Sequence, residues 1–157
     1  MRPQAHVASS LLVWTASRDA PLAEAPLCVL AGNLPDLDRS VAKRLGVKRR
    51  DHHRWVSHSL VGWLAPTAIA LAAGRRSGTV RRATALVWVH LLLDTYADGI
   101  AWLWPLREDK IGLFRKPEEI HDDGWRTPAP LSSELGKAEL GMWVATAAFA
   151  ARRRTGR

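Results

Sequence analysis

Three ionisable side chains, His90, Asp94 and Asp98, interrupt the longest apolar segment of the chain, which runs from Ala83 to Leu106 and is stopped by Pro105. His90 and Asp94 lie within it at positions i and i+4, so a helix presents both side chains from one face, one turn apart. Their neighbours are mainly valine, leucine and tryptophan, which leaves no broad polar face. Ionisable groups in such surroundings are costly unless they are paired or bound to a metal. The segment therefore predicts either a buried His–Asp pair or two ligands of a metal ion.

The rest of the chain favours an all-α fold, because its apolar segments are rich in alanine and leucine and strand signals are scarce. A length of 157 residues fits a single domain over residues 1–157, and we expect a compact bundle of about five helices. The apolar segments assigned to the bundle are residues 4–17, 21–34, 57–73, 83–106 and 132–151. Between and after them we predict a basic loop over 39–54, a turn over 75–82, an irregular polar excursion over 107–138 and a basic tail over 152–157.

Charge and aromatic content indicate contact with an anionic or interfacial partner. The formal net charge is +8, and eight tryptophans stand against two phenylalanines. Basic residues flank the apolar segments, as they do at the ends of membrane helices, and tryptophan is typical of membrane interfaces. A bilayer span needs about 20 apolar residues, but segment 83–106 is interrupted by ionisable residues and segments 58–74 and 139–151 are short. We therefore expect a membrane-associated bundle rather than an ordinary four-span protein, with a soluble bundle as the alternative.

Two further pairs of polar residues stand where a turn meets an apolar segment. Asp36 and Asp38 belong to the turn sequence LPDLD, and in an extended turn both carboxylates could reach one cation. Common turn chemistry, or capping of a helix by Asp38, would explain them equally. His53 and His58 are five residues apart, about 140° around an ideal helix. They could converge only if His53 lies in the loop and His58 in the first helical turn; otherwise they are surface histidines of a basic loop.

Together these pairs favour a metal site, because a helical bundle can direct ligands inward from several segments. His6, on the apolar first helix, is a further candidate, and Asp98 continues the stripe of His90 and Asp94 by one turn. The single Cys28 excludes a cysteine-based zinc finger and an intramolecular disulfide framework. Nitrogen and oxygen donors remain, so we expect a divalent metal, zinc in the first place, with manganese or iron as alternatives.

The order of these residues along the chain is His6, then LPDLD, HRWVSHS, HLLLD and LWP. It resembles the YdjM-like family of membrane-bound, metal-dependent hydrolases, described as LexA-binding and inner membrane-associated, over residues 6 to about 106. The chain departs from the family pattern at Trp55, which replaces a usual glycine, at Ser57, which replaces threonine, and at Arg39, which stands where histidine is frequent. It departs again in DTYADG, where the family's Thr-x-x-Gly becomes Ala97 and Gly99 and the interval to WP is one residue shorter. The resemblance implies a bacterial inner-membrane location, with a cytoplasmic one as the alternative. It also implies remote similarity to zinc phospholipase C and P1-type nucleases, which cleave phosphoesters.

The resemblance maps seven residues onto the family's polar positions as metal ligands: His6, Asp36, Asp38, His53, His58, His90 and Asp94. It implies that metal-activated water attacks an anionic phosphoester or lipid substrate. Asp98 or Asp51 could act as general base, and Arg39 and Arg54, with the neighbouring Arg49 and Arg50, could bind phosphate.

Two alternatives belong to other functional classes. The first is a non-catalytic membrane-associated protein, in which the His/Asp pairs are structural and the basic loops bind anionic lipid. The second and least favoured is a nucleic-acid-binding protein, since positive charge alone gives only salt-sensitive, non-specific affinity. The sequence predicts neither the substrate nor the oligomeric state.

Overall fold

The structure is a computed structural model, which describes residues 3–46, 52–74, 77–113 and 134–155. Six α-helices account for most of these residues, and none of the described residues belongs to a β-strand. The helices are α1 (Pro3–Ala16), α2 (Ala25–Gly32), α3 (Leu37–Arg44), α4 (Leu60–Ala73), α5 (Gly78–Ala97) and α6 (Glu134–Thr155). Short 3-10 turns cover Leu22–Glu24, His52–Arg54 and Val56–His58. The predicted all-α class is confirmed, with one helix more than expected.

Helices α1, α2 and α5 enclose the main apolar core. Leu86 of α5 is almost fully buried against a cluster that includes Trp14 of α1 and Cys28 of α2. Helix α6 packs against α1, where the Thr146 hydroxyl donates to the carbonyl of Ala8 at 3.1 Å. Helix α4 packs against α5 on another side. Helix α5 therefore contacts three other helices, which places its inward-facing His90 and Asp94 in the protein interior.

Helices α1 and α2 approach each other closely at Gly32. A Cβ atom at this position would lie 2.0 Å from the Oγ of Ser10, so a larger residue would displace the Ser10 hydroxyl from its present position. The Ser10 hydroxyl donates to the carbonyl of His6 at 2.6 Å. This close approach sets the backbone of Gly32 and the side chain of His6 beside the same part of α5.

Two helices begin inside segments for which loops or turns were predicted. Helix α3 occupies part of the predicted basic loop 39–54, and Asp38 lies in its first turn, where a carboxylate is favoured by the helix dipole. Helix α5 begins at Gly78, within the predicted turn 75–82, because the Ser77 side chain accepts from the N–H of Val80 and caps the helix.

Helix α5 ends earlier than the predicted segment 83–106, at Ala97. Gly99 has a φ of +74°, the left-handed conformation that commonly ends a helix. The N–H groups of Asp98 and Gly99 both donate to the carbonyl of Asp94, at 2.9 and 2.8 Å. The chain then turns back, and the N–H of Ala101 donates to the carbonyl of His53 at 2.9 Å. The helix end therefore brings Asp98 and the His53 turn together.

Helix α6 extends beyond the predicted segment 132–151 at its C-terminal end, and it includes residues assigned to the excursion 107–138 and to the tail 152–157. Residues 114–133 of the excursion lie outside the described residues. Arg153 is not part of a solvated tail, because its guanidinium donates to the carbonyls of Trp14, Ser17 and Ala20. It also lies over the Trp14 ring, 4.4 Å from the centroid. The contacts of Arg153 therefore hold the C-terminal end of α6 against the C-terminal end of α1.

Large apolar side chains remain exposed on several helices, among them Leu30 of α2, Ile69 of α4 and Val144 of α6. Within the part of the chain that the structure describes, we find no helix with both the length and the apolar character needed to cross a bilayer.

Candidate metal centre

Four histidines and four aspartates from separate parts of the chain meet in one cluster. Helix α1 supplies His6, the α2–α3 region supplies Asp36 and Asp38, the 3-10 turns supply His53 and His58, and the C-terminal half of α5 with its cap supplies His90, Asp94 and Asp98. The four histidines and Asp94 are buried. Among Asp36, His58, His90 and Asp94, Asp36 is the most accessible, with 24% of its side chain exposed against 1% or less for the others. Solvent therefore reaches the cluster from the side of Asp36.

Asp36, His58, His90 and Asp94 form the group best suited to hold one cation, since their ligand atoms all lie within 4.8 Å of one another. The Nε2 atoms of His58 and His90 are 3.3 Å apart. Asp94 Oδ2 lies 3.4 Å from the first and 3.1 Å from the second. Asp36 Oδ1 lies 3.5 and 3.8 Å from the same two nitrogen atoms.

These separations fit the donor set of a tetrahedral ion. Ligands at about 2.0 Å from a tetrahedral zinc lie about 3.3 Å from each other, and the five measured separations run from 3.1 to 3.8 Å. Two imidazole nitrogens and two carboxylate oxygens are suitable for zinc and for other borderline cations. The residues present therefore fit a divalent metal.

The orientation of His90 is fixed by a hydrogen bond to the nitrogen of its ring that faces away from the cluster. Its Nδ1 lies 2.8 Å from the carbonyl oxygen of Gly32. A carbonyl can only accept, so Nδ1 carries the proton and the lone pair of Nε2 faces the cluster. This is the tautomer that a metal-ligating histidine needs, and such a partner for the second nitrogen is the usual arrangement in metal sites.

His58 is oriented by Asp38, which the sequence had placed among the ligands. Asp38 Oδ2 lies 3.6 Å from Nδ1 of His58, on the side of the ring that faces away from His90. The Ser57 hydroxyl donates to the same carboxylate and lies 3.3 Å from His58 Nδ1. Asp38 therefore lies behind His58 and outside the group of four.

His6 contacts Oδ1 of Asp94, the carboxylate oxygen that does not face His58 and His90. Its Nε2 lies 3.2 Å from Asp94 Oδ1, while Asp94 Oδ2 faces His58 and His90. The imidazole of His6 also stacks on that of His90, with 3.8 Å between the centroids. His6 is thus placed to fix the rotation of Asp94 and the plane of His90, and it lies outside the group of four.

A second group of possible ligands shares Asp94 with the first and consists of His53, Asp94 and Asp98. His53 Nε2 lies 3.5 Å from Asp94 Oδ2. Burial raises the pKa of Asp98, but nearby positive charge, His53 included, lowers it overall. Asp98 is therefore ionised at neutral pH, which suits a ligand or hydrogen-bond acceptor better than a strong general base.

The cluster requires positive charge. Burial opposes protonation of His58, yet hydrogen bonds to Asp36, Asp38 and Asp94 raise its pKa well above the usual range. Burial likewise opposes ionisation of Asp94, yet the positive groups around it hold its pKa well below the usual range. A protonated His58 would donate to Nε2 of His90, which the Gly32 contact leaves as an acceptor. A divalent cation bound by the same atoms would likewise place positive charge at the centre of the cluster.

Comparison with protein-family models identifies the family of this chain. A protein-family model described as the YdjM inner membrane protein matches residues 1–152. The chain belongs to the YdjM inner membrane protein family. Searches of the curated proteins and of the solved structures found no match.

The structure brings together all seven residues that the resemblance to the YdjM family had suggested as ligands. Four of them form the group that fits one ion: Asp36, His58, His90 and Asp94. His53 belongs to the second group, and His6 and Asp38 contact the ligands from behind. The YdjM pattern therefore includes the candidate ligands together with some of the side chains that orient them.

The arginines predicted to bind phosphate and Asp51, the second candidate base, are close in sequence to residues of the cluster. Arg39 is half-buried and follows Asp38 in α3, while Arg54 is exposed and follows His53. Their phosphate-binding role stays a prediction. Asp51, Arg49 and Arg50 lie outside the described residues.

Sequence reasoning missed two groups that orient the histidines. The Gly32 carbonyl belongs to the main chain, so no residue type could have indicated it. Ser57 had a detectable signal, because it replaces the threonine of the YdjM pattern and keeps its hydroxyl group.

Replacing Asp38 by asparagine should weaken metal binding about 10- to 100-fold, the range usual for loss of a group that orients a ligand. The amide removes the negative charge that lies beside Nδ1 of His58, so the ring loses its preferred orientation and basicity. Competition with a chromogenic chelator measures the dissociation constant. Asp109→Asn, a change at an exposed aspartate, is the control. Equal affinities for the two variants would show that Asp38 does not act through His58.

Proposed function

We propose that the protein is a metal-dependent hydrolase that cleaves a phosphoester with metal-activated water. The observation that carries this proposal is the convergence of His58 Nε2, His90 Nε2 and Asp94 Oδ2 within 3.1 to 3.4 Å of one another in a buried cluster. When bound, a divalent cation supplies Lewis-acid activation of water at neutral pH. Zinc suits this mixed nitrogen and oxygen donor set, and manganese and iron are the alternatives.

Each residue of the cluster has a role in this proposal that follows from its position. Asp36, His58, His90 and Asp94 hold the ion, and the Gly32 carbonyl, Asp38 and His6 keep them in a fixed orientation. The partial exposure of Asp36 makes its side the entrance for water and substrate. Asp98, which belongs to a second group with His53 and Asp94, serves as a further ligand or a hydrogen-bond acceptor. Preorientation of this kind lowers the reorganisation needed during the reaction.

A phosphoester is the favoured substrate because the chain carries a net charge of +8 and has arginines next to residues of the cluster in the sequence. Arg39 follows Asp38, and Arg54 follows His53. Guanidinium groups bind phosphate through paired hydrogen bonds. The description of the family as an inner membrane protein supports a location at the bacterial inner membrane, where lipid phosphoesters are among the available substrates.

The test is metal content together with hydrolysis of a soluble chromogenic phosphodiester such as bis(p-nitrophenyl) phosphate. The purified full chain should contain about one zinc or more per molecule, lose activity on chelation and regain it on addition of zinc. Asp36→Asn should lose both metal and activity, and the partial exposure of Asp36 makes this variant the least disruptive to folding. Asp109→Asn should behave as the wild type.

Two results would contradict the proposal. A well-folded wild-type protein that contains no metal and takes up none would favour the alternative of structural His/Asp pairs. Hydrolysis that persists unchanged in Asp36→Asn would show that the activity comes from another site or from a contaminant.

A further inference from the structure

Helix α4 has no polar face. Its fourteen residues, LVGWLAPTAIALAA, include no charged side chain, and its one hydroxyl group, on Thr67, accepts from the indole N–H of Trp88 at 3.0 Å. A helix at a protein–water boundary ordinarily alternates an apolar stripe with a polar one, whereas a helix that is apolar all round belongs in an apolar environment.

None of the residues of α4 is buried in this structure. The helix packs against α5 and the Val56–His58 turn, and large side chains remain exposed along it. These are Val61 (45%), Leu64 (53%), Ile69 (69%) and Leu71 (39%). A continuous apolar surface of this kind is costly in water and marks a place where another apolar phase or partner binds.

Positive charge borders this apolar surface. A shallow groove is lined by Ala68, Leu71 and Ala72 of α4 and by the exposed Arg81 of α5. The chain also continues from Gly74 directly into Arg75 and Arg76. Arg82, in contrast, is engaged in ion pairs with Glu24 and Asp19. An apolar patch with an adjacent guanidinium matches the acyl chains and the phosphate of an anionic lipid.

We propose that the α4 surface, formed by Val61, Leu64, Ile69 and Leu71 and bordered by Arg81, is the face with which the protein enters a bilayer rich in anionic phospholipid. A second copy of the chain fits less well. A two-fold contact through this face would bring the same basic border of both copies together, in a chain whose net charge is already +8. This inference rests on the membrane location given under the proposed function and does not depend on the metal chemistry.

The test is co-sedimentation of the full chain with vesicles of phosphatidylglycerol and phosphatidylethanolamine, compared with vesicles of phosphatidylcholine. The wild type should bind the anionic vesicles more strongly. Ile69→Asp should weaken this binding about tenfold or more, since it replaces a large apolar group by a charge. Arg81→Glu should remove most of the preference for anionic vesicles.

Val144→Asp is the matched control, because Val144 is 60% exposed and lies on α6, which packs against α1. Its vesicle binding should stay within about twofold of the wild type. Equal binding by Ile69→Asp and wild type, or an equal loss in both variants, would overturn the assignment to α4. A wild type that binds no vesicles but forms dimers abolished by Ile69→Asp would show that a second copy covers this face.

Hydrolysis of the soluble phosphodiester separates this inference from the proposed function. Loss of vesicle binding by Ile69→Asp with full hydrolysis would support the α4 surface. A metal-free, inactive protein in which Ile69→Asp still selectively loses vesicle binding would overturn the hydrolase proposal and support the membrane surface.

Discussion

Replacing Asp94 by asparagine should remove the bound metal and lower kcat/KM for phosphodiester hydrolysis by about a thousandfold, the effect of losing several kcal/mol of charge stabilisation. Asp94 is the residue on which the cluster converges, because Oδ2 lies 3.1 to 3.5 Å from the Nε2 atoms of three histidines. Asparagine keeps the shape of the side chain but loses its negative charge. Metal analysis and steady-state kinetics at fixed zinc concentration measure the two effects.

The control for this prediction must separate loss of metal from loss of fold, since Asp94 is fully buried. Far-UV circular dichroism of Asp94→Asn reports its helix content, and the more exposed Asp36→Asn should lose metal with less effect on stability. A folded Asp94→Asn variant that binds metal and turns over at the wild-type rate would disprove the assigned role of the carboxylate.

Replacing Arg153 by alanine should lower the free energy of unfolding by about 3 kcal/mol, because charged hydrogen bonds and a cation–π contact are lost together. The guanidinium donates to three main-chain carbonyls at the end of α1 and beyond it and stacks over Trp14. With the guanidinium removed, these carbonyls lose a charged donor in a partly buried place. Urea denaturation followed by circular dichroism measures the difference.

Arg152→Ala provides the matched control, since Arg152 is exposed and lies in the same turn of α6. It should change the free energy of unfolding by no more than about 0.5 kcal/mol, the usual range for surface positions. If the two alanine variants are equally stable, the contacts of Arg153 with α1 contribute nothing to folding, and residues 152–157 behave as the solvated tail that their composition predicts.

The parts of the site that were predictable from the sequence depend on local geometry. His90 and Asp94 are four residues apart on a helix, so their common face follows from the helical repeat alone. Asp36 and His58 were candidates from their own pairs at the edges of apolar segments, and the pattern of the YdjM-like family linked these pairs to His90 and Asp94, which are far away in the chain. The all-α class followed from composition, since the apolar segments carry few β-branched runs.

The orientation of each ligand was not predictable, because it depends on how the elements pack. Asp38 differs from Asp36 only in its place in the turn, and the structure puts it behind His58. The end of α5 had a local signal, since a glycine follows Asp98, but the apolar residues beyond it favoured a longer helix. Helix α3 was missed because its charged sequence resembles a loop, and tertiary contacts decide such cases.

The contact between His6 and Asp94 joins residues that are 88 positions apart. The cluster therefore cannot form on any short fragment of the chain, and His6 contacts Asp94 only when α1 packs against α5. In the proposed metal-bound state the ion would join α5 to Asp36 and His58, so the energy of binding it adds to that of packing these segments together. The ion then serves as a cross-link within a chain whose one cysteine can form no internal disulfide.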